Sequence, residues 1–220
     1  MSHQLRAERL LVRGPVGNLE ALIETPPAVS GHHFALVCHP HPLFGGTLDN
    51  KVVHTLARAF QDCGAATIRF NFRGVGSSGG EYAEGVGETD DALALIEHGR
   101  SRWPGAALWL AGFSFGGAVA IRAAADSSPA LLVAAAPAVV RLERLELDVS
   151  GTRTRSCPWL IVQGDADEVL PAPSVLDWAS KVVPAPAVSV FKGGSHFFHG
   201  RLHELRETVA GFVRGASANQ

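Results

Sequence analysis

A serine lies between two glycines in the segment Gly112-Phe113-Ser114-Phe115-Gly116. A serine hydroxyl becomes a useful nucleophile only when a neighbouring base accepts its proton. The spacing Gly-x-Ser-x-Gly suits a tight turn between a strand and a helix, because side chains two residues before and after the serine would collide there. In such a turn the Ser114 hydroxyl projects above the sheet, and the Phe115 amide faces a developing oxyanion at the start of the helix. The pattern predicts nucleophilic attack by Ser114 on a carbonyl carbon.

A base and an acid for this serine follow it along the chain. His196 comes after a Gly-Gly-Ser turn, between a predicted strand and the last predicted helix. The segment Gly164–Pro171 follows another predicted strand and carries Asp165 and Asp167. We expect His196 to accept the serine proton and Asp167 to orient His196, while Asp165 stays open as the alternative acid because its side chain could instead bond within the turn.

The loop His39–Gly46 is the candidate for a second oxyanion donor. Pro40 and Pro42 have no backbone N–H, so the donor would be the amide of His41 or of a residue near Leu43. For the imidazole side chains of this loop, hydrogen bonding to the loop backbone is favoured over catalysis.

The elements that would position these residues alternate between strands and helices. Arg6–Arg13 and Leu19–Thr25 flank a Gly-Pro turn and predict an antiparallel hairpin. Further strands are predicted at Phe34–His39, Ala65–Phe70, Ala107–Ala111, Leu131–Ala136, Trp159–Gln163 and Val188–Phe191. Helices are predicted at Asn50–Cys63, Glu88–Trp103, Phe115–Ala125, Ser174–Val183 and Leu202–Val213. This alternation predicts an α/β fold with about eight mostly parallel strands, helices on both faces, and a site at the carboxyl ends of the strands.

Length and composition fit one globular domain over residues 1–220. Hydrophobic residues make up 46% of the chain and charged residues 18%, which excludes a disordered protein. The net charge of −2 and the lack of a basic stripe argue against a nucleic-acid or anionic-membrane partner. We find no signal peptide and no apolar run that could span a membrane, and the three widely spaced cysteines favour a reducing compartment. We therefore expect a cytoplasmic protein.

Several segments together resemble the α/β-hydrolase superfamily, over almost the whole chain from Leu19 to Val213. They are Cys38–Gly46, Phe70–Ser78, Gly112–Gly117, Gly164–Pro171 and Gly193–Phe198. The resemblance is strongest to small lidless bacterial hydrolases related to the dienelactone hydrolases, which use a cysteine nucleophile, so their substrate is not carried over to a chain with Ser114. It implies an α/β-hydrolase fold, aligns the family's acid with Asp167, and favours the His41 amide as the oxyanion donor beside Phe115.

The segment Pro137–Pro158 has room only for a short excursion, so we expect no cap domain, an open shallow site and no interfacial lipase. The predicted function is a serine hydrolase that cleaves a small ester or thioester through an acyl-enzyme on Ser114. A peptidase or amidase with the same residues, and a non-catalytic ligand-binding protein on the same scaffold, stay as alternatives. No metal or organic cofactor is implied. The expected partner is a small-molecule acyl substrate, and a homodimer is left open.

Two further features carry an open choice between structure and function. Arg73 could bind a substrate carboxylate, but pinning neighbouring turns is favoured. Five phenylalanines could line an acyl pocket or belong to the core: Phe72, Phe113, Phe115, Phe197 and Phe198.

Overall fold

The computed structural model describes residues 5–27, 31–144 and 157–217. One eight-stranded sheet forms its centre, with the strand order β1-β2-β4-β3-β5-β6-β7-β8. The strands are β1 (Arg6–Arg13), β2 (Asn18–Thr25), β3 (His33–Cys38), β4 (Ala66–Phe70), β5 (Ala107–Phe113), β6 (Leu131–Ala135), β7 (Trp159–Gly164) and β8 (Ala187–Phe191). The helices are α1 (Lys51–Gln61), α2 (Val86–Arg102), α3 (Phe115–Ser127), α4 (Val139–Arg144), α5 (Ala172–Lys181) and α6 (Leu202–Ser217).

The pairing confirms the predicted α/β architecture. β1 and β2 form the antiparallel hairpin, and β2 pairs antiparallel with β4. All pairs from β4 through β3, β5, β6 and β7 to β8 are parallel. Parallel strands end at the same edge of the sheet, so the loops after β3, β5, β7 and β8 meet there.

Helices cover both faces of the sheet because the central strands are apolar on both sides. Every residue of β4, β6 and β7 is buried. One core cluster packs α2, α3 and α5 on one face, and a second packs α1 and α6 on the other. Burial on both faces explains why β6 and most of β7 appear in the sequence as continuous apolar runs, whereas β4 also carries the buried polar residues Thr67 and Arg69.

Helix α2 begins at Val86, two residues before the predicted start at Glu88. The Glu88 carboxylate turns back and accepts hydrogen bonds from the Gly85 amide at 2.6 Å and the Ala83 amide at 2.8 Å. A glutamate at the third helical position can cap a helix in this way. Glu88 therefore lies within the first turn and is not the first residue of the helix.

The segment Pro137–Pro158 is described only in part. Helix α4 occupies its first half, and residues 145–156 lie outside the described residues. No separate cap domain is seen in the described part of the chain. Over the same residues, no helix has both the length and the apolar character needed to cross a membrane.

Candidate active site

Ser114 occupies a strained turn between β5 and α3. Its backbone dihedrals are φ 56° and ψ −117°, in a region that non-glycine residues rarely adopt. The end of β6 holds this conformation: the Ser114 amide donates to the Ala135 carbonyl at 2.9 Å, and the Ala138 amide donates to the Ser114 carbonyl at 3.1 Å. The backbone therefore adopts the strand–turn–helix elbow that the motif predicted.

The glycines of the motif are required by close backbone contacts. A Cβ atom on Gly112 would lie 2.0 Å from the Gly116 carbonyl oxygen. A Cβ atom on Gly116 would lie 2.4 Å from the carbonyl oxygens of both Cys38 and His39. The second contact also shows that the elbow packs directly against the start of the loop after β3.

Three of the predicted site residues form one hydrogen-bonded series. The Nε2 atom of His196 lies 3.1 Å from the Ser114 Oγ atom. The Nδ1 atom of the same ring lies 2.8 Å from the Asp167 Oδ2 atom. All three side chains are buried, although they come from the ends of three different strands, β5, β7 and β8.

The Asp167 carboxylate accepts three further hydrogen bonds. Its Oδ1 atom accepts from the Val169 amide at 2.9 Å and the Leu170 amide at 2.7 Å, and its Oδ2 atom accepts from Gln163 Nε2 at 3.0 Å. Burial, the largest single effect, raises the pKa of Asp167, but the hydrogen bonds from His196 and from the two amides together lower the pKa below its usual value. The carboxylate is therefore ionised at neutral pH.

Gln163 was not recognised from the sequence as a site residue. It is a fully buried polar side chain at the end of an otherwise apolar strand. A buried polar group needs hydrogen-bond partners. The polar Gln163 after four apolar residues was therefore the sequence feature that could have identified it as a site residue.

The acid loop, Gly164–Pro171, carries two other carboxylates, Asp165 and Glu168, and both bond to the backbone of the loop after β8 that carries His196. Asp165 Oδ1 accepts a hydrogen bond from the Gly193 amide at 2.5 Å, and Glu168 Oε2 accepts one from the His196 amide at 3.1 Å. The bond from the His196 amide lowers the pKa of Glu168. Of the two candidate acids, Asp167 contacts the His196 ring, whereas the Asp165 hydrogen bond goes to the backbone of the neighbouring turn.

His39 has a structural position on the other side of the elbow. Its Nδ1 atom lies 2.6 Å from the Pro40 carbonyl, and its Nε2 atom accepts from the Phe72 amide at 3.0 Å. A carbonyl can only accept, so Nδ1 carries the proton and donates it to Pro40. Burial lowers the pKa of His39 to about 4, and the ring stays neutral at pH 7.

The His41 ring also bonds within its own loop. Its Nδ1 atom accepts from the Leu43 amide at 3.3 Å, and its Nε2 atom lies 3.2 Å from the Tyr82 hydroxyl. The ring packs 4.9 Å from the Phe115 ring, centroid to centroid, so this loop lies beside the elbow. The Leu43 amide is already bonded to the His41 ring, so it is a poor candidate for an oxyanion donor.

Several known proteins are similar to this chain in sequence and in structure over most of their length. A family model described as "Serine aminopeptidase, S33" matches residues 45–179. An alpha-beta serine hydrolase homologue from Coxiella burnetii is 44% identical, with a TM-score of 0.86, and the match covers 92% of this chain and 95% of that chain. The chain belongs to the α/β serine hydrolase family.

Two further proteins are similar to this α/β serine hydrolase over most of their length. A serine hydrolase without a lid from Xanthomonas campestris is 38% identical, with a TM-score of 0.83, over 95% of this chain and 94% of that one. An uncharacterized protein of Rickettsia prowazekii is 29% identical over 219 residues, which are 96% of this chain and 90% of that protein. The closer link to the dienelactone hydrolases stays a prediction.

Arg73 of this hydrolase is held in a buried ion pair. Its Nε and Nη2 atoms donate to the two carboxylate oxygens of Asp91 at 3.0 and 2.7 Å. Asp91 also accepts a hydrogen bond from the Arg73 amide at 3.0 Å. The side chain therefore fixes the loop after β4 to helix α2, which agrees with the structural role favoured from the sequence.

The five phenylalanines proposed for an acyl pocket or the core divide unequally. Only Phe197 is exposed, at 39% of its surface. The other four are buried: Phe72, Phe113, Phe115 and Phe198.

Proposed function

We propose that this α/β serine hydrolase cleaves a small ester or thioester through an acyl-enzyme on Ser114. The observation that carries the proposal is the hydrogen-bonded series from the Ser114 hydroxyl through His196 to Asp167. The Asp167 carboxylate keeps a proton on Nδ1 of His196, which leaves Nε2 free to accept the serine proton. A serine with a base and an orienting acid is activated for acyl transfer.

The reaction proceeds in two halves. As the Ser114 oxygen bonds to the substrate carbonyl carbon, its proton passes to Nε2 of His196 and the carbonyl oxygen becomes an oxyanion. The tetrahedral intermediate collapses when His196 returns that proton to the leaving oxygen or sulfur, and the acyl group stays on Ser114. A water molecule then attacks the acyl carbon while His196 takes one of its protons, and the second tetrahedral intermediate collapses when His196 returns that proton to the Ser114 oxygen, which releases the carboxylic acid and the free serine.

The oxyanion donors in this proposal are the backbone amides of Phe115 and His41. Phe115 opens helix α3, where amide dipoles favour negative charge. The close approach of Gly116 to the His39 carbonyl brings the His41 loop against the elbow. Two amides that converge on a carbonyl oxygen stabilise its negative charge without reorganisation during the reaction.

A peptidase or amidase is the second candidate, because the matched family model is described as a serine aminopeptidase. The same residues attack amides and esters alike, so the choice rests on the substrate site. The non-catalytic alternative is disfavoured, because a binding protein has no need to keep a strained serine aligned with a buried base and acid. The cytoplasmic location stays a prediction.

A fluorophosphonate probe tests the proposal directly. Wild-type protein should be labelled at Ser114, and S114A should not, while S101A, with its change at the exposed end of α2, should be labelled like wild type. Turnover should then be compared on p-nitrophenyl acetate and butyrate, an acetyl thioester and an aminoacyl p-nitroanilide. A wild-type protein inert to the probe and to every substrate would rule out the enzymatic function, and turnover of the anilide alone would favour the peptidase.

A further inference from the structure

Three aromatic rings form a continuous surface beside the elbow, which we call the aromatic shelf: His41, Phe44 and Tyr82. The His41 ring lies 4.7 Å from Phe44 and 5.0 Å from Tyr82, measured between centroids. Both His41 and Tyr82 also pack on Phe115, the residue after Ser114, at 4.9 and 6.0 Å. These separations are those of favourable aromatic contacts.

The outer end of the shelf is open to solvent. Phe44 has 85% of its surface exposed and the neighbouring Leu43 has 66%, although both are large apolar side chains. The Tyr82–His41 hydrogen bond at 3.2 Å holds the two inner rings relative to each other. An exposed apolar ring on an aromatic base that packs against Phe115, the residue after Ser114, is a surface that a ligand can cover.

Strand order determines which part of the substrate meets the shelf. The His41 loop follows β3, on one side of β5, whereas the His196 loop follows β8, on the other side. The leaving group must lie within hydrogen-bonding distance of His196, because His196 protonates it. The acyl substituent therefore points away from His196, and the shelf lies on the side of β5 opposite the His196 loop.

We propose that the aromatic shelf binds an aryl acyl group, so that the substrate is an ester or thioester of an aromatic acid. This inference rests on the proposed function. A planar aromatic ring offers the shelf a stacked or edge-to-face contact in addition to the burial of apolar surface, and such contacts favour it over a saturated ring of the same size. Neither Phe44 nor Tyr82 was recognised from the sequence as a site residue.

The experiment compares two esters of the same leaving group, p-nitrophenyl benzoate and p-nitrophenyl cyclohexanecarboxylate. The F44L variant keeps an apolar side chain and removes the ring, so the ratio of kcat/KM for the benzoate to kcat/KM for the saturated ester should fall about three- to tenfold. F44A should lower both. L11A serves as the matched control, since Leu11 is also exposed but lies on β1 at the far edge of the sheet, and its rates should equal those of wild type.

A binding measurement separates failure of the shelf from failure of the proposed function. Benzamide, which lacks a reactive ester, should bind wild-type protein more tightly than cyclohexanecarboxamide in calorimetric titrations, and F44L should remove the difference. If the protein hydrolyses esters but F44L affects both substrates and both amides equally, the shelf does not select aryl groups. If the protein hydrolyses no ester yet shows the Phe44-dependent preference for benzamide, the proposed function is wrong and the aryl site stands. If neither effect is seen, both proposals are wrong.

Discussion

Replacing Asp167 by asparagine changes one atom in a carboxylate whose two oxygens both accept hydrogen bonds. In the native protein, Oδ1 faces two backbone amides and Oδ2 faces His196 Nδ1 and Gln163 Nε2. An asparagine must place its NH₂ group at one of these positions. At the Oδ1 position, the NH₂ group would oppose two backbone N–H donors that cannot move. The amide oxygen therefore takes that position, and the NH₂ group faces His196.

The consequence for His196 is a change of tautomer. An NH₂ group beside Nδ1 makes Nδ1 an acceptor, so the ring proton moves to Nε2. Protonated Nε2 cannot accept the proton of Ser114, and the nucleophile is no longer activated. Loss of the correct tautomer lowers kcat by about 10⁴-fold, which corresponds to about 5.5 kcal/mol of transition-state stabilisation.

The assay is kcat for p-nitrophenyl acetate, with D165N as the matched control. The Asp165 carboxylate accepts a hydrogen bond from the Gly193 amide, and an asparagine carbonyl accepts the same bond, so D165N should lose no more than about threefold. Thermal unfolding of both variants would show that the fold is intact. A folded D167N protein within tenfold of wild type, or a loss in D165N as large as that in D167N, would refute the reasoning.

Two further predictions concern the backbone and the buried histidine. G112A should lower the free energy of unfolding by about 3 kcal/mol or prevent folding, because its Cβ atom would lie 2.0 Å from the Gly116 carbonyl oxygen. G211A on α6, where an added Cβ atom would meet nothing within 4 Å apart from its own neighbouring helix backbone, should be neutral or stabilising in chemical denaturation. Equal effects of the two substitutions would contradict the close packing of the elbow. His39 binds its proton more weakly in the folded state than in the unfolded state, so its contribution to stability is present above pH 6.5 and is lost as the pH falls toward about 4. This lowering of the pKa corresponds to about 3 kcal/mol of unfolding free energy. The unfolding free energy of H39Q should therefore fall less than that of wild type between pH 6.5 and about pH 4. An equal dependence on pH in both proteins would show that the pKa of His39 is not lowered by folding.

The sequence alone was sufficient to predict the elbow and the order of the elements around it. The contact that requires glycine at position 112 comes from Gly116 in the same turn, so the spacing of the motif itself predicts the turn, and the apolar run before it predicts a buried strand. Parallel strands end at one edge of a sheet, so the order of Ser114, the acid loop and His196 already brought their loops together. These inferences succeeded because each depends on local backbone geometry or on the alternation of strands and helices.

Tertiary structure decided the details that local rules leave undetermined. Asp165 and Asp167 lie two residues apart in one loop, and no sequence periodicity predicts which of the two side chains turns inward. Hydrogen bonds from the Val169 and Leu170 amides and from Gln163 hold the Asp167 carboxylate against His196. Burial of the aromatic rings was equally unpredictable. Phe113 and Phe115 flank the serine yet belong to the core, whereas Phe44, in a loop, stays exposed, because exposure depends on which distant segments pack over a side chain and not on its neighbours in sequence.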